Sequence, residues 1–122
     1  MNDSTSLVRS VYTAFQRGDI QSILNVLSAG IDWKYYGPVP WAGERNGPEQ
    51  VGAFFQIVGE ALDIKTFEPS EYITERSNVV VFGRTDAIAR KSGKPFENRW
   101  AHVLTVENGK IIRFVGHDTS PL

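Results

Sequence analysis

The chain has 122 residues, 41% of them apolar and 22% charged, with a formal net charge of −1 and no cysteine. Its near-neutral balance leaves no basic field for nucleic acid or an anionic membrane, and no apolar run approaches the ~20 residues a membrane span needs. Without cysteine there are no disulfides, no thiolate chemistry and no thiolate metal ligands.

The only two histidines, His102 and His117, are too far apart for a helical metal motif, and no glycine-rich phosphate loop occurs. No metal or nucleotide cofactor is expected. The polar start "MNDSTS" lacks the apolar stretch of a secretory signal, so a cytoplasmic location is expected. The length suits a single domain over residues 1–122.

Leu7, Val8, Val11 and Phe15 recur at helical spacing and predict a helix over residues 4–17 that stops at Gly18. Asp19 is placed to cap a shorter helix with Ile20, Ile23, Leu24 and Leu27 on its buried side. "IDWKYY" alternates, with Ile31, Trp33 and Tyr35 on one side, and predicts a short strand. "GPVPWAGERNG" is rich in Gly and Pro and predicts a loop over residues 37–47, a candidate lid carrying Trp41. Pro48 suits the first position of a third helix whose stripe is Val51, Phe54, Phe55, Val58 and Leu62.

From Lys65 the period becomes two, with strands expected at 66–76, 79–90, 95–106 and 110–118. Turns fall at Ser77-Asn78, Ser92-Gly93 and Glu107-Asn108-Gly109, and the Asn-Gly pair is the strongest hairpin signal of the three. Helices followed by a meander of long antiparallel strands give an α+β fold, with helices on one face of a curved sheet.

Strand 79–90 is apolar on both faces. Val80, Phe82 and Ile88 share one face with Arg84 and Asp86; Val79, Val81, Gly83, Thr85, Ala87 and Ala89 form the other. A sheet apolar on both faces is covered on both. The face that carries Arg84 and Asp86 is expected to meet the helices, and the other a second copy of the chain in a homodimer. Strand 95–106 has a mixed face of Asn98, Trp100, His102 and Leu104, and strand 110–118 one of Ile112, Phe114, Gly116 and Asp118. Stacked, such faces would line a cavity walled by Phe82, Trp100 and Phe114, with Arg84, Asp86, His102 and Asp118 inside it. Trp33, Tyr35, Trp41 and Phe55 are expected to add walls. Apolar walls with a few convergent polar groups are the makeup of a small-molecule site. The register between strands stays open here, and so do plainer readings: Arg84 and Asp86 as a cross-strand ion pair, His102 as a core histidine, Asp118 as part of a solvated tail.

"AFQRGDIQSILNVL", "GPVPWAGERNGPEQVGAFF" and "WAHVLTVENGKIIRF", followed by Asp118, resemble the SnoaL-like family of the NTF2-like superfamily over nearly the whole chain. The resemblance implies a cone of curved sheet closed by helices, with a hydrophobic ligand inside and no cofactor. By the same resemblance Asp118 stands where cyclases carry a general base, and His102 where a polar residue stabilises charge on a substrate oxygen. Against ketosteroid isomerases, Tyr35 occupies the position of the base, and Val11, with Tyr12 beside it, that of the tyrosine donor. Against limonene-type epoxide hydrolases, "RTD" (Arg84 to Asp86) with Asp118 resembles the Arg-x-Asp constellation, and Trp33, Tyr35 and Tyr36 loosely mirror the water-positioning pair. Three activities are therefore open: a cofactor-free cyclase, isomerase or dehydratase; an epoxide hydrolase; and a non-catalytic binder of an apolar small molecule.

Overall fold

The computed structural model describes residues 3–118. In chain order the elements are α1 (Asp3–Gln16), α2 (Ile20–Asn25), β1 (Leu27–Tyr36), β2 (Gly43–Asn46), α3 (Pro48–Ala61), β3 (Leu62–Glu75), β4 (Asn78–Ala89), β5 (Pro95–Glu107) and β6 (Lys110–Asp118). The six strands form one sheet in the order β2-β1-β6-β5-β4-β3. It is antiparallel except where β1 runs parallel to β6. No helix among the described residues is long and apolar enough to cross a membrane.

Local signals account for most boundaries. The chain leaves α1 through Gly18 at φ 74°. Asp19 caps α2, its carboxylate accepting from the Ser22 backbone N–H at 3.2 Å and from the Ser22 hydroxyl at 2.6 Å. α3 opens with Pro48 and buries Val51, Phe54 and Val58. Between β5 and β6, Asn108 and Gly109 take φ values of 51° and 73°, the two positive values that a type I′ turn requires.

Two departures from the expected elements have physical causes. β2 lies inside the segment expected to be loop. It pairs with β1 through Asp32–Asn46 and Trp33–Arg45 and buries none of its four residues. A strand held by backbone bonds alone leaves no apolar alternation in the sequence. The same segment does not stand off as a lid: Trp41 is buried, edge-on to Tyr35 at 6.4 Å and to Phe96 at 5.7 Å.

The larger correction concerns β4. Val79, Val81, Gly83, Thr85 and Ala87 face the helices and are buried, whereas Phe82 and Arg84 are exposed and Asp86 is half-buried on the opposite, convex face. The expected orientation, with the face of Arg84 and Asp86 toward the helices, is reversed in the structure. The concave side of β4 must be small because rings from neighbouring strands lie over it. Gly83 pairs with Trp100, and a Cβ on Gly83 would sit 2.3 Å from the indole and 2.6 Å from the Glu68 carbonyl oxygen.

That contact makes Gly83→Ala the most informative stability probe. Overpacking of this kind costs about 1–3 kcal/mol, so the melting temperature should fall by about 4 °C per kcal/mol, the value where the ranges for smaller and larger domains meet. Gly30→Ala is the control, since a Cβ there meets nothing within 4 Å. Equal melting temperatures for the two variants would refute the packing described for Gly83.

Candidate functional site

The concave face of β1, β4, β5 and β6 is roofed by α1 and α3 over a chamber of about 90 Å³. At roughly 10–15 Å³ for each water centre, that is room for on the order of six waters or one substituted ring. Among the described residues twenty-two line it, and none of these carries a permanent charge. On one side, Phe15, Phe55, Val58, Leu62, Ile64 and Phe67 also border an open groove, so a single layer of side chains separates the chamber from solvent there.

The wall is built from rings in two stacks. In the first, His102 lies against Trp100 (centroids 4.2 Å apart, planes 12° from parallel), and Phe67 covers the other part of the indole at 4.9 Å. The Trp100 N–H is satisfied by Thr85 Oγ1 at 2.9 Å. In the second, Trp33 stacks on Phe114 at 3.9 Å, because β1 and β6 pair in parallel with these two residues opposite each other. Tyr35 lies over Gly116, where a Cβ would meet the phenol ring at 2.6 Å.

Three ionisable side chains line the chamber: Tyr12, Tyr35 and His102. The Tyr12 hydroxyl is 2.5 Å from His102 Nδ1. Burial, reinforced by the charge of His117, depresses the His102 pKa to about 3, so the ring is neutral. Burial also holds the Tyr12 phenol well above its usual range, with Tyr72 and Tyr35 adding to the shift. A phenol that keeps its proton donates to Nδ1, and the imidazole then carries its own proton on Nε2. Tyr35 is pushed up to about 12, chiefly by burial and further by Asp118, while hydrogen bonds from the Trp41 and Asn98 side chains partly offset this.

Asp118 is at the rim. It follows Phe114 and Gly116 on the inward parity of β6, is the ladder partner of Trp100, and is half-buried against Gly37. It does not line the chamber, although its charge is felt at Tyr35.

Of the residues singled out in the sequence, His102, Trp33, Tyr35, Trp41, Phe55, Trp100 and Phe114 line the chamber, and Asp118 stands at its mouth. Phe82, Arg84 and Asp86 do not reach it. Phe82 is 39% exposed on the convex face. There Arg84 and Asp86 form an ion pair at 2.5 Å, and Asp86 also accepts from Thr66 at 2.9 Å. That pairing holds Asp86 below the usual carboxylate range and Arg84 above its own. The pair is an ion pair on the sheet surface, but it runs along one strand rather than across two, since both residues lie on β4. Tyr12, Asn98 and Thr85 were not among the candidates. Tyr12 was legible, since it lies four residues after Val8 on the same helical face. Among the described residues no cluster of three or more His, Asp or Glu is placed to hold a metal ion.

The sequence pattern of the SnoaL-like domain matches residues 8–114. An NTF2-like protein from Burkholderia thailandensis E264 is 28% identical, with a TM-score of 0.89 over 97% of this chain and 92% of that one. An NTF2-like protein of unknown function from Burkholderia pseudomallei K96243 is 27% identical, with a TM-score of 0.87 and the same coverage. TerC, co-crystallised with polyporic acid, shares the fold at 23% identity and a TM-score of 0.82, over 98% of this chain and 92% of its own. No curated protein matches the sequence. With the family pattern spanning most of its length and the cone-shaped sheet closed by three helices, the chain belongs to the SnoaL-like family of the NTF2-like superfamily.

Proposed function

We propose that this protein is a cofactor-free acid–base enzyme of the isomerase, cyclase or dehydratase type, acting on an uncharged hydrophobic carbonyl compound. The observation that carries this is the neutral His102 held by Tyr12 inside a chamber lined without permanent charge. Nε2–H is a donor suited to a carbonyl oxygen that becomes an enolate, and in a dry, low-dielectric site such a donor gains strength as negative charge develops. Asp118, half-buried at the rim, is a carboxylate whose charge reaches the chamber-lining Tyr35, and we assign it the removal of a proton α to the carbonyl. The epoxide-hydrolase reading loses its support, because Arg84 and Asp86 stand on the other face of the sheet from the chamber.

The convex face suits a second copy of the chain. Ile73, Val80, Val103 and Val115 are ladder neighbours in one row across four strands, and Phe82 and Ala101 lie in the next. Ile73 and Phe82 are 47% and 39% exposed. Charges of both signs flank the row, which fits a self-complementary two-fold contact. Val103→Asp, at the centre of the row, should shift the sedimentation coefficient from dimer to monomer while ligand binding persists. A wild-type protein that sediments as a monomer at high micromolar concentration would end this part of the proposal.

Proton abstraction can be read without knowing the natural substrate. With cyclohexanone in D₂O, the wild type should speed deuterium incorporation at the α-carbons, followed by proton NMR. Asp118→Asn should slow it by about 10²–10⁴-fold, the usual worth of a positioned base. His102→Gln should slow it by about 10²–10³-fold, the range for losing one oxyanion donor. Bound ketone with no exchange above the buffer rate would leave a binder rather than an enzyme.

The neutral state of His102 also sets a pH dependence. Its pKa is about 3 in the fold and about 6.5 when unfolded. Between those values the unfolded chain binds more protons, so stability is highest above pH ~6.5 and falls as pH drops toward 3. The slope from this residue approaches about 1.4 kcal/mol per pH unit within the window. Urea unfolding at pH 7, 6 and 5 should show that decline in the wild type and a shallower one in His102→Gln. Parallel declines would place the histidine in solvent.

A further inference from the structure

Two lining residues present polar atoms that have no hydrogen-bond partner among the described residues. Trp33 Nε1 and Asn98 Oδ1 are buried without a hydrogen-bond partner, on side chains that are 3% and 7% exposed. Each such atom carries an uncompensated desolvation penalty, and a native fold keeps few of them. We propose that these two atoms are the anchors of the chamber, and that its ligand is a single-ring, uncharged molecule bearing a carbonyl-type acceptor for Trp33 and a hydroxyl-type donor for Asn98. This rests on the chamber being the ligand site, as above, and adds what the ligand must carry.

The other tryptophans make the contrast. Trp100 donates to Thr85 at 2.9 Å, and the Trp41 side chain hydrogen-bonds Tyr35. All three indoles line the same chamber, and only that of Trp33 is left with an orphaned N–H. The Trp33 ring is not free to turn toward a partner, being clamped flat on Phe114 at 3.9 Å and edge-on against Phe54 at 5.3 Å and Phe55 at 5.6 Å. A phenylalanine would supply the same apolar wall without the N–H. Asn98 spends its amide nitrogen on Tyr35 and leaves the oxygen unpaired. One orphan is a donor and the other an acceptor, so the ligand must present an acceptor to Trp33 and a donor to Asn98. Charge is disfavoured, because no permanent charge lines the walls to compensate it. The chamber volume of about 90 Å³ limits the occupant to one ring with small substituents.

Three probes of similar shape separate the contributions: ethylbenzene, acetophenone and 4-hydroxyacetophenone. Binding is followed on the indole N–H signals in two-dimensional NMR, where each tryptophan is its own reporter. Acetophenone should bind about tenfold tighter than ethylbenzene and move the Trp33 indole proton downfield; 4-hydroxyacetophenone should gain a further factor of about five. Trp33→Phe should cut the ketone gain, leaving only what the His102 donor supplies, and leave ethylbenzene unchanged. Asn98→Leu should erase only the hydroxyl gain. Equal affinity for all three probes, or a Trp33 signal indifferent to the carbonyl, would overturn the anchor assignment while the chamber stands as a binding site. A hydroxyl gain that survives Asn98→Leu would overturn the role of Asn98. Failure of all three probes to bind would overturn the chamber as the ligand site, and the anchors with it.

Discussion

Large rings on the concave side of a curved sheet must find room, and the hollow in this protein depends on how that is solved. Curvature crowds inward side chains, and a ring can lie flat across the next strand where its ladder neighbour there has almost no side chain. Trp100 lies across Gly83 and Tyr35 across Gly116, and a single Cβ at either glycine would come within 2.6 Å or less of the covering ring. Rings laid flat pave the wall instead of filling the space. Stacking then extends the paving from Trp100 to His102 and Phe67, and from Trp33 to Phe114. Each such pair adds roughly 0.5–1.5 kcal/mol beyond the area it buries, which helps the fold tolerate an interior that is not packed solid.

The same paving sorts charge by face. Arg84, Arg99, Glu97 and Glu68 alternate onto the convex side of β3, β4 and β5, where solvent screens them, and the described chamber lining keeps only groups that are neutral at physiological pH. A permanently charged side chain in the chamber would need a buried partner to offset its desolvation. Hydrogen-bond donors on rigid rings avoid that penalty and still respond to charge that develops on a ligand. Asp118 completes the division. It keeps its carboxylate at the rim, part-way to solvent, within electrostatic reach of the Tyr35 phenol.

Much of this was legible in the sequence because local chemistry determined it. Asp19, Pro48 and Asn108-Gly109 mark boundaries through capping, fixed φ and positive φ, none of which needs a distant partner. On β5 and β6, the inward faces could be picked out by His102 between Trp100 and Leu104, and by Phe114 and Gly116 before Asp118. β4 offered no such contrast. Val79, Val81 and Ala87 are as apolar as Val80 and Ile88, and the deciding fact, that the Trp100 ring needs a glycine opposite, belongs to another strand 17 positions on. Arg84 and Asp86 were drawn inward with Phe82 by parity alone. β2 was hidden for a related reason, since its partner is the backbone of β1 and backbone pairing leaves no trace in side-chain pattern.

The placement of α1 is where these strands of explanation meet. An apolar stripe on a smooth sheet permits a helix to slide or roll at little cost, and a chamber whose roof slides has no defined site. Three polar ties along α1 prevent this. Thr5 bonds Thr74 at 2.6 Å, Tyr12 bonds His102 at 2.5 Å, and the Gln16 amide donates to the Phe67 carbonyl at 2.8 Å. The outer two pin the helix to β3 at both ends, which sets its height and direction. The middle one reaches past β3 to β5, and a hydrogen bond tolerates far less misalignment than an apolar contact does, so it sets the rotation. Rotation is what delivers the Tyr12 hydroxyl to Nδ1 and so leaves the Nε2 proton for a ligand. The contact that orients the histidine is thus also one of those that lock the roof, and the chemistry of the site and the rigidity of its enclosure have one structural origin.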